Sequence, residues 1–182
     1  VIDNIEELRK TLNHAADNCD VIITSGGVSM GERDFVRKIM EQEGVIDFWR
    51  IKVRPGSPPL FGSWRNKPIF GLPGNPVSTA ACFRFFVLPF IFSSCGYMGN
   101  NPIKAKLKNR FEKKKDFTRF IKGKLTVSKN GNLEFEVLKG QESFKLKPLA
   151  QSNVWGRFNN VQDSFKKGDL IDCFTTFGVN FL

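Results

Sequence analysis

Histidine is almost missing from this chain of 182 residues, with His14 the only one. It lies off the apolar stripe of its predicted helix, so it reads as a solvated side chain without a functional role. Cysteine is sparse as well. Cys19, Cys82, Cys95 and Cys173 are scattered, with no Cys-x-x-Cys pair. That pattern excludes a disulfide framework and a zinc site, and the four read as reduced thiols of a cytoplasmic protein. No apolar run approaches transmembrane length and no signal peptide is visible, so no membrane partner is expected. The chain opens on Val1, and the natural N-terminus is therefore expected to be absent.

What is present is organised around Val21–Asp34, Val-Ile-Ile-Thr-Ser-Gly-Gly-Val-Ser-Met-Gly-Glu-Arg-Asp. The β-branched run Val21-Ile22-Ile23 predicts a buried parallel strand. The chain breaks at Ser25-Gly26-Gly27 and restarts as a helix near Glu32, with Phe35, Val36, Ile39 and Met40 at helical spacing. Open α/β sheets bind ligands in such strand-to-helix loops. Glycines let backbone N–H groups approach a ligand, and a helix N-terminus favours an anion. Asp34 places one carboxylate beside the loop, and the plain alternative is an acid favoured by the helix dipole. A second stretch, Phe70-Gly71-Leu72-Pro73-Gly74-Asn75-Pro76-Val77-Ser78, has the same grammar. Asn75 suits a helix cap and Pro76 the first helical position.

In chain order, Ile2–Asn18 predicts an amphipathic helix capped by Asp3, and 32–43 a second one ended by Gly44. Asp47–Val53 alternates as a strand, 59–64 and 68–72 pair across a turn at Arg65–Lys67, and Pro76–Phe92 is an apolar helix. That helix is read as too short to span a membrane and as interrupted by Arg84 and Pro89. A linker at Gly96–Pro102 divides residues 1–98, an α/β domain, from residues 99–182. In the second part, short strands are expected at 104–108, 119–127, 132–138, 144–149, 154–158 and 169–174, without helices between them, which predicts a small β-barrel.

Charge is uneven. Residues 1–101 carry 11 basic and 10 acidic side chains, whereas 102–149 carry 14 basic and 5 acidic. Nearly all of the formal +10 therefore sits in the barrel segment. A basic barrel suggests nucleic acid, yet lysines alternating along strands also keep an outer face soluble, and nucleic acid is disfavoured as a partner.

Three stretches, Ser25–Asp34, Arg54-Pro55-Gly56-Ser57-Pro58 and Gly71–Ser78, match in order and spacing the motifs of the molybdopterin molybdenumtransferase family, which includes the gephyrin E domain. The resemblance is strong over 20–93 and weaker over 102–182. It implies a partial three-layer, parallel-sheet, molybdopterin-binding domain followed by a small β-barrel. It also implies molybdenum cofactor biosynthesis: molybdate is inserted into adenylylated molybdopterin with release of AMP, assisted by Mg2+. Further implied partners are a second copy of the chain, as a homodimer, and the molybdopterin adenylyltransferase.

The same resemblance distributes roles. Asp34 is implied as the catalytic carboxylate that binds Mg2+ or positions the phosphoanhydride for cleavage, with Arg50 and Arg54 as catalytic basic residues that hold an oxyanion. Many members carry lysine at those two positions and at Ser57, so Ser57 removes a charge. Lys52, on the same face of a continuous strand as Arg50 and Arg54, would compensate in part. Ser25, Gly26, Gly27 and Ser29 in the first loop, and Pro73, Gly74, Asn75 and Ser78 in the second, are implied to bind the pterin nucleotide. In the barrel, Asp116-Phe117-Thr118-Arg119 and Gly140-Gln141-Glu142-Ser143 resemble shorter family motifs, which implies Arg119 and Ser143 as candidate molybdate ligands. Family chains are about twice as long, so this piece alone is expected to be an incomplete enzyme. Two other readings use the same fold: a molybdopterin adenylyltransferase, and a non-enzymatic scaffold.

Overall fold

The computed structural model describes residues 4–28, 34–57, 59–97 and 101–176. They form two compact units. The first holds the chain up to Ile51 and Gly56–Cys82, and the second holds Lys52–Pro55 and the chain from Phe83 onward. The division thus runs through a helix, upstream of the linker at 96–102.

The first unit begins with α1 (Ile5–Asn18), whose cap is Asn4. Asn4 Oδ1 accepts from Glu6 N at 2.8 Å and Glu7 N at 3.4 Å, while Asp3 lies outside the described residues. Next come β1 (Ile22–Ser25), α2 (Phe35–Glu43) and β2 (Val45–Trp49). Val53–Arg54 is a separate strand, β3. The single strand expected over 47–53 is therefore broken, and the reason is local. Arg50 takes φ 64, and Arg50 N and Ile51 N turn back to Pro59 O and Ser57 O. With alternation interrupted, Lys52 no longer shares one strand face with Arg50.

A hairpin of β4 (Leu60–Trp64) and β5 (Lys67–Leu72) follows. Its tip is Arg65-Asn66, both at positive φ, as a tight two-residue turn requires. The sheet order is β1-β5-β4-β2. β1 and β5 are parallel, and the other two pairs are antiparallel. Leu12, Ile22, Val36, Ile39, Met40, Leu60 and Ile69 form the core. Ile23 is nevertheless exposed, because β1 stands at the sheet edge.

The helical run Pro76–Ser94 consists of α3 (Pro76–Cys82), a π-turn over Phe83–Val87 and α4 (Leu88–Ser94). At 19 residues it is long and apolar enough, by length and composition only, to cross a membrane. The expectation that it is too short is corrected. Arg84 at its middle is buried and donates through Nε to Thr175 O at 2.9 Å, an environment made by protein.

The second unit is built from β6 (Ile103–Leu107), β7 (Phe111–Glu112), β8 (Thr118–Val127), β9 (Leu133–Val137), α5 (Lys147–Gln151), β10 (Val154–Phe158), β11 (Ser164–Phe165) and β12 (Leu170–Thr175). Order β10-β12-β6-β9-β8, with β8 pairing back to β10, closes a five-stranded barrel. β3 adds to it beside β8 in parallel. The strand expected at 144–149 is instead a bend leading into α5. Pro148 lacks an N–H for a ladder and suits a helix's first turn. Lys104 and Lys106 point to solvent while Ala105 and Leu107 are buried, as the alternation predicts.

On the barrel wall Asp172 is held by both Lys104 and Arg157. Burial works against its charge, but those two hydrogen bonds outweigh it and hold the carboxyl below the usual range. A lowered folded value contributes stability above the unfolded one, about pH 3.9, and that contribution is lost as pH falls through the folded value. Denaturant unfolding is therefore expected to show barrel stability dropping below about pH 4. Asp172→Asn should be less stable at neutral pH, with that acid limb flattened.

Candidate functional site

In the first unit the two glycine loops meet. Gly26 and Gly27 take φ 90 and 72, which a side chain resists. Gly26 N donates to Leu72 O at 2.8 Å, the bond that ties the first loop to the strand leading into the second. A Cβ on Gly74 would stand 3.5 Å from Gly26 Cα. Backbone thus faces backbone with no side chain between. Beside the first loop lies a cavity of about 490 Å³, lined by Thr11, Ile23, Thr24, Ser25, Gly26 and Gly27 among others.

Asn75 caps α3, its Oδ1 accepting from Val77 N at 3.1 Å and Ser78 N at 3.3 Å. Thr79 Oγ1 donates to Pro73 O. Gly74 is exposed and Asn75 half-buried, but Pro73 is buried and Ser78 is only 6% exposed. Pro73 and Ser78 therefore shape the loop, and Gly74 and Asn75 are the parts a ligand can reach. Ser25 is exposed, and Ser29 lies outside the described residues.

Asp34 stands at the cap position of α2 but makes no side-chain cap hydrogen bond there. Arg37 N donates to Gly27 O at 3.1 Å and so ties the helix's first turn to the loop. Trp49 secures the same region from β2, with Nε1 donating to Val28 O at 2.9 Å. The Arg37 and Arg50 guanidiniums lie 4.6 and 5.2 Å from its ring centroid. Arg37 was not anticipated from sequence, although its place three residues after Asp34, one helical turn on, was visible. Ser57, where a charge was expected to be missing, uses its hydroxyl to hold the turn by donating to Ile51 O at 3.2 Å.

Among the described residues no cysteine forms a disulfide. Burial pushes the Cys82 and Cys173 thiols up to about 12, so neither is a nucleophile at neutral pH. Among the described residues no three His, Cys, Asp or Glu side chains group together. A protein-only metal cage is not formed by them. Mg2+ more often binds through one or two carboxylates plus substrate phosphates, and a single Asp34 beside a glycine loop fits that mode.

The second unit holds a different feature. β3 and β8 pair in register, with Arg54 opposite Arg119. Arg54 lies 4.4 Å from the Phe117 ring centroid, and Thr118 N donates to Lys52 O at 3.0 Å. Arg119 Nε is buried without a hydrogen-bond partner among the described residues. Lys113, 8% exposed, donates from Nζ to Lys114 O and Phe117 O, both at 3.1 Å. Burial first, and Arg119 second, hold its ammonium below the usual lysine range. Like charges directly opposite on neighbouring strands are destabilising, and a buried guanidinium N–H without an acceptor is costly. An oxyanion bound at this place would relieve both. Ser143 sits on another loop, whose anchor is Lys122.

Comparison with known proteins divides the chain further along, near the linker at 96–102. Residues 1–93 match the family model described as "Probable molybdopterin binding domain", and 104–175 match "MoeA C-terminal region (domain IV)". A molybdopterin molybdenumtransferase of Haemophilus influenzae is 34% identical over 172 residues, 93% of this chain and 43% of that protein. The molybdenum cofactor synthesis protein cinnamon of Drosophila melanogaster is 33% identical over 159 residues, 84% of this chain and 26% of that one. The chain thus spans less than half the length of the curated relatives it matches. A crystal structure of a molybdopterin biosynthesis MoeA protein from Pyrococcus horikoshii superposes with a TM-score of 0.75 at 24% identity. It covers 97% of this chain and 42% of that one, and it shows the fold.

Proposed function

Because this chain belongs to the molybdopterin-binding domain family and carries the MoeA-type C-terminal region behind it, we propose that the full-length protein inserts molybdate into adenylylated molybdopterin and releases AMP. The observation that carries the reading is the meeting of Gly26 and Gly74, which leaves two strand-to-helix loops facing each other through bare backbone. Such a place suits an anionic nucleotide conjugate. Asp34, beside the first loop at the start of α2, is the carboxylate for Mg2+. When bound, the ion would neutralise charge on the phosphoanhydride. Arg50, held against Trp49, adds positive charge near the same loops. Molybdate, a dianion, is assigned to Arg54 and Arg119, with Ser143 as a further ligand. We take the protein to act in the cytoplasm as a homodimer, supplied by the molybdopterin adenylyltransferase.

The test uses the full-length protein with adenylylated molybdopterin, molybdate and Mg2+, and AMP is followed by chromatography. AMP that appears only with molybdate is the expected result. Nucleotide that stays bound, with no AMP formed, would overturn insertion in favour of a binding module. Arg54→Ala is expected to raise the molybdate requirement about 10-fold or more, the worth of one charge-assisted hydrogen bond. The loss should grow with added salt, as direct electrostatic attraction does. An unchanged requirement would mean that Arg54 only solubilises its strand.

A further inference from the structure

Among the described residues, the lysines on the barrel strands face water with one exception. Lys122, in the middle of β8, is 1% exposed. Its ammonium reaches out of the strand to the loop 139–146, where Nζ donates to Glu142 O at 3.1 Å and to Lys145 O at 3.3 Å. The loop answers with Gln141. Gln141 Oε1 accepts from Lys122 N at 2.9 Å, and Nε2 donates to Lys122 O at 2.8 Å and Leu138 O at 2.7 Å. Side chain and backbone of one residue therefore hold the loop at three points. The two carbonyls gripped by the ammonium belong to the residues just before Ser143 and just after Phe144.

Taking an ammonium out of water costs several kcal/mol unless carbonyls satisfy it. An apolar residue would plug the same space more cheaply. Burial accordingly holds this ammonium below the usual lysine range. What the lysine supplies, and a leucine would not, is a fixed shape for the loop. Gly140 takes φ 82 and Lys145 N donates to Glu142 O at 3.1 Å, so the loop folds tightly over Lys122. Phe144 is 73% exposed and adds no burial, and the Lys145–Glu142 ion pair joins loop residues only to each other. The same strand carries Arg119 three residues earlier, so one rigid element sets both the guanidinium and the loop.

We propose that Lys122 is a positioning residue: through the Glu142 and Lys145 carbonyls it fixes Ser143 for the oxyanion substrate. The proposal rests on the reading of Ser143 as a molybdate ligand. The experiment uses full-length protein carrying Lys122→Met, Ser143→Ala or both, with inorganic molybdate as the varied substrate. Lys122→Met should speed amide exchange at 140–146 at least 10-fold while exchange elsewhere in the barrel stays unchanged. It should raise KM for molybdate about 10-fold and leave KM for adenylylated molybdopterin unaltered. The double variant should be no worse than Ser143→Ala, because one residue acts through the other. A purely structural lysine would lower the folded fraction, scaling turnover without moving KM for molybdate, and that outcome overturns the proposal. So does an additive double variant, or unchanged exchange at 140–146. If Ser143→Ala alone leaves KM for molybdate unmoved, the reading of Ser143 falls and takes the proposal with it, a result distinct from the others. Should Lys122→Met fail to fold, Gln141→Ala releases the loop from its own side and is expected to give the same molybdate-selective change. A Gln141→Ala protein with a freed loop and normal KM overturns the proposal.

Discussion

Full-length protein carrying Asp34→Asn is expected to lose molybdate-dependent AMP release by at least about 100-fold, as enzymes do when one preorganised electrostatic group is removed. Its fold should be untouched. Asp34 sits where α2 begins, and asparagine is as good a residue there as aspartate. The tie from Arg37 N to Gly27 O uses backbone only and survives the change. The substitution therefore removes charge while keeping shape and helix start, which separates a metal-binding acid from a helix-dipole acid. Thermal unfolding should shift by no more than a few degrees, the range of a substitution worth about 0.5 kcal/mol. Raising Mg2+ should recover part of the activity if the lost carboxylate is a ligand. Normal AMP release by the variant would take Asp34 out of the mechanism and return it to the first turn of a helix.

Much of this was legible because it is local. Val21–Gly27 and Phe70–Pro76 announce strand, glycine turn and helix within a few residues, and β1, β5, α2 and α3 follow that order. The switch from helical to strand periodicity near residue 100 marked the barrel, and Arg65-Asn66 marked a hairpin. What the sequence hid depends on residues far apart. Arg50 breaks the strand at 47–53 because its neighbourhood closes back onto Ser57 and Pro59. Arg54 opposite Arg119 is a pairing across more than sixty residues, invisible to any periodicity. Lys122 looks like its solvated neighbours in sequence, and only the return of the loop at 139–146 buries it. Phe144–Leu149 reads as a strand by residue type, yet Pro148 belongs to a helix's first turn. Ser78 matches a binding motif, but capping by Asn75 draws it inward.

The barrel predicts the largest stability change. Phe135 on β9 is fully buried, with its ring 6.0 Å from that of Phe158. Two glycines leave room for it. A Cβ on Gly156 would stand 2.5 Å from Phe135 Cζ and 2.9 Å from both Cε atoms, and a Cβ on Gly123 would overlap the same ring. These glycines lie on the paired strands β10 and β8, and neither has a positive φ, so it is the ring that requires them. Phe135→Ala should cost about 3–5 kcal/mol, since rigid strands cannot collapse into the space left. Gly156→Ala should cost about 1–3 kcal/mol by overpacking. The sharper expectation concerns the pair. Phe135→Leu with Gly156→Ala exchanges volume across one contact, so the double variant should be more stable than the two separate losses add up to, by about 0.5 kcal/mol or more in denaturant unfolding. Additive losses would mean that the glycines serve some need of the strands and not of the ring. Since β8 also carries Arg119 and Lys122, a β8 strained by overpacking at Phe135 should weaken molybdate use before it unfolds the barrel. Gly123→Ala, placed on that strand, is expected to show the weakening more strongly than Gly156→Ala on β10.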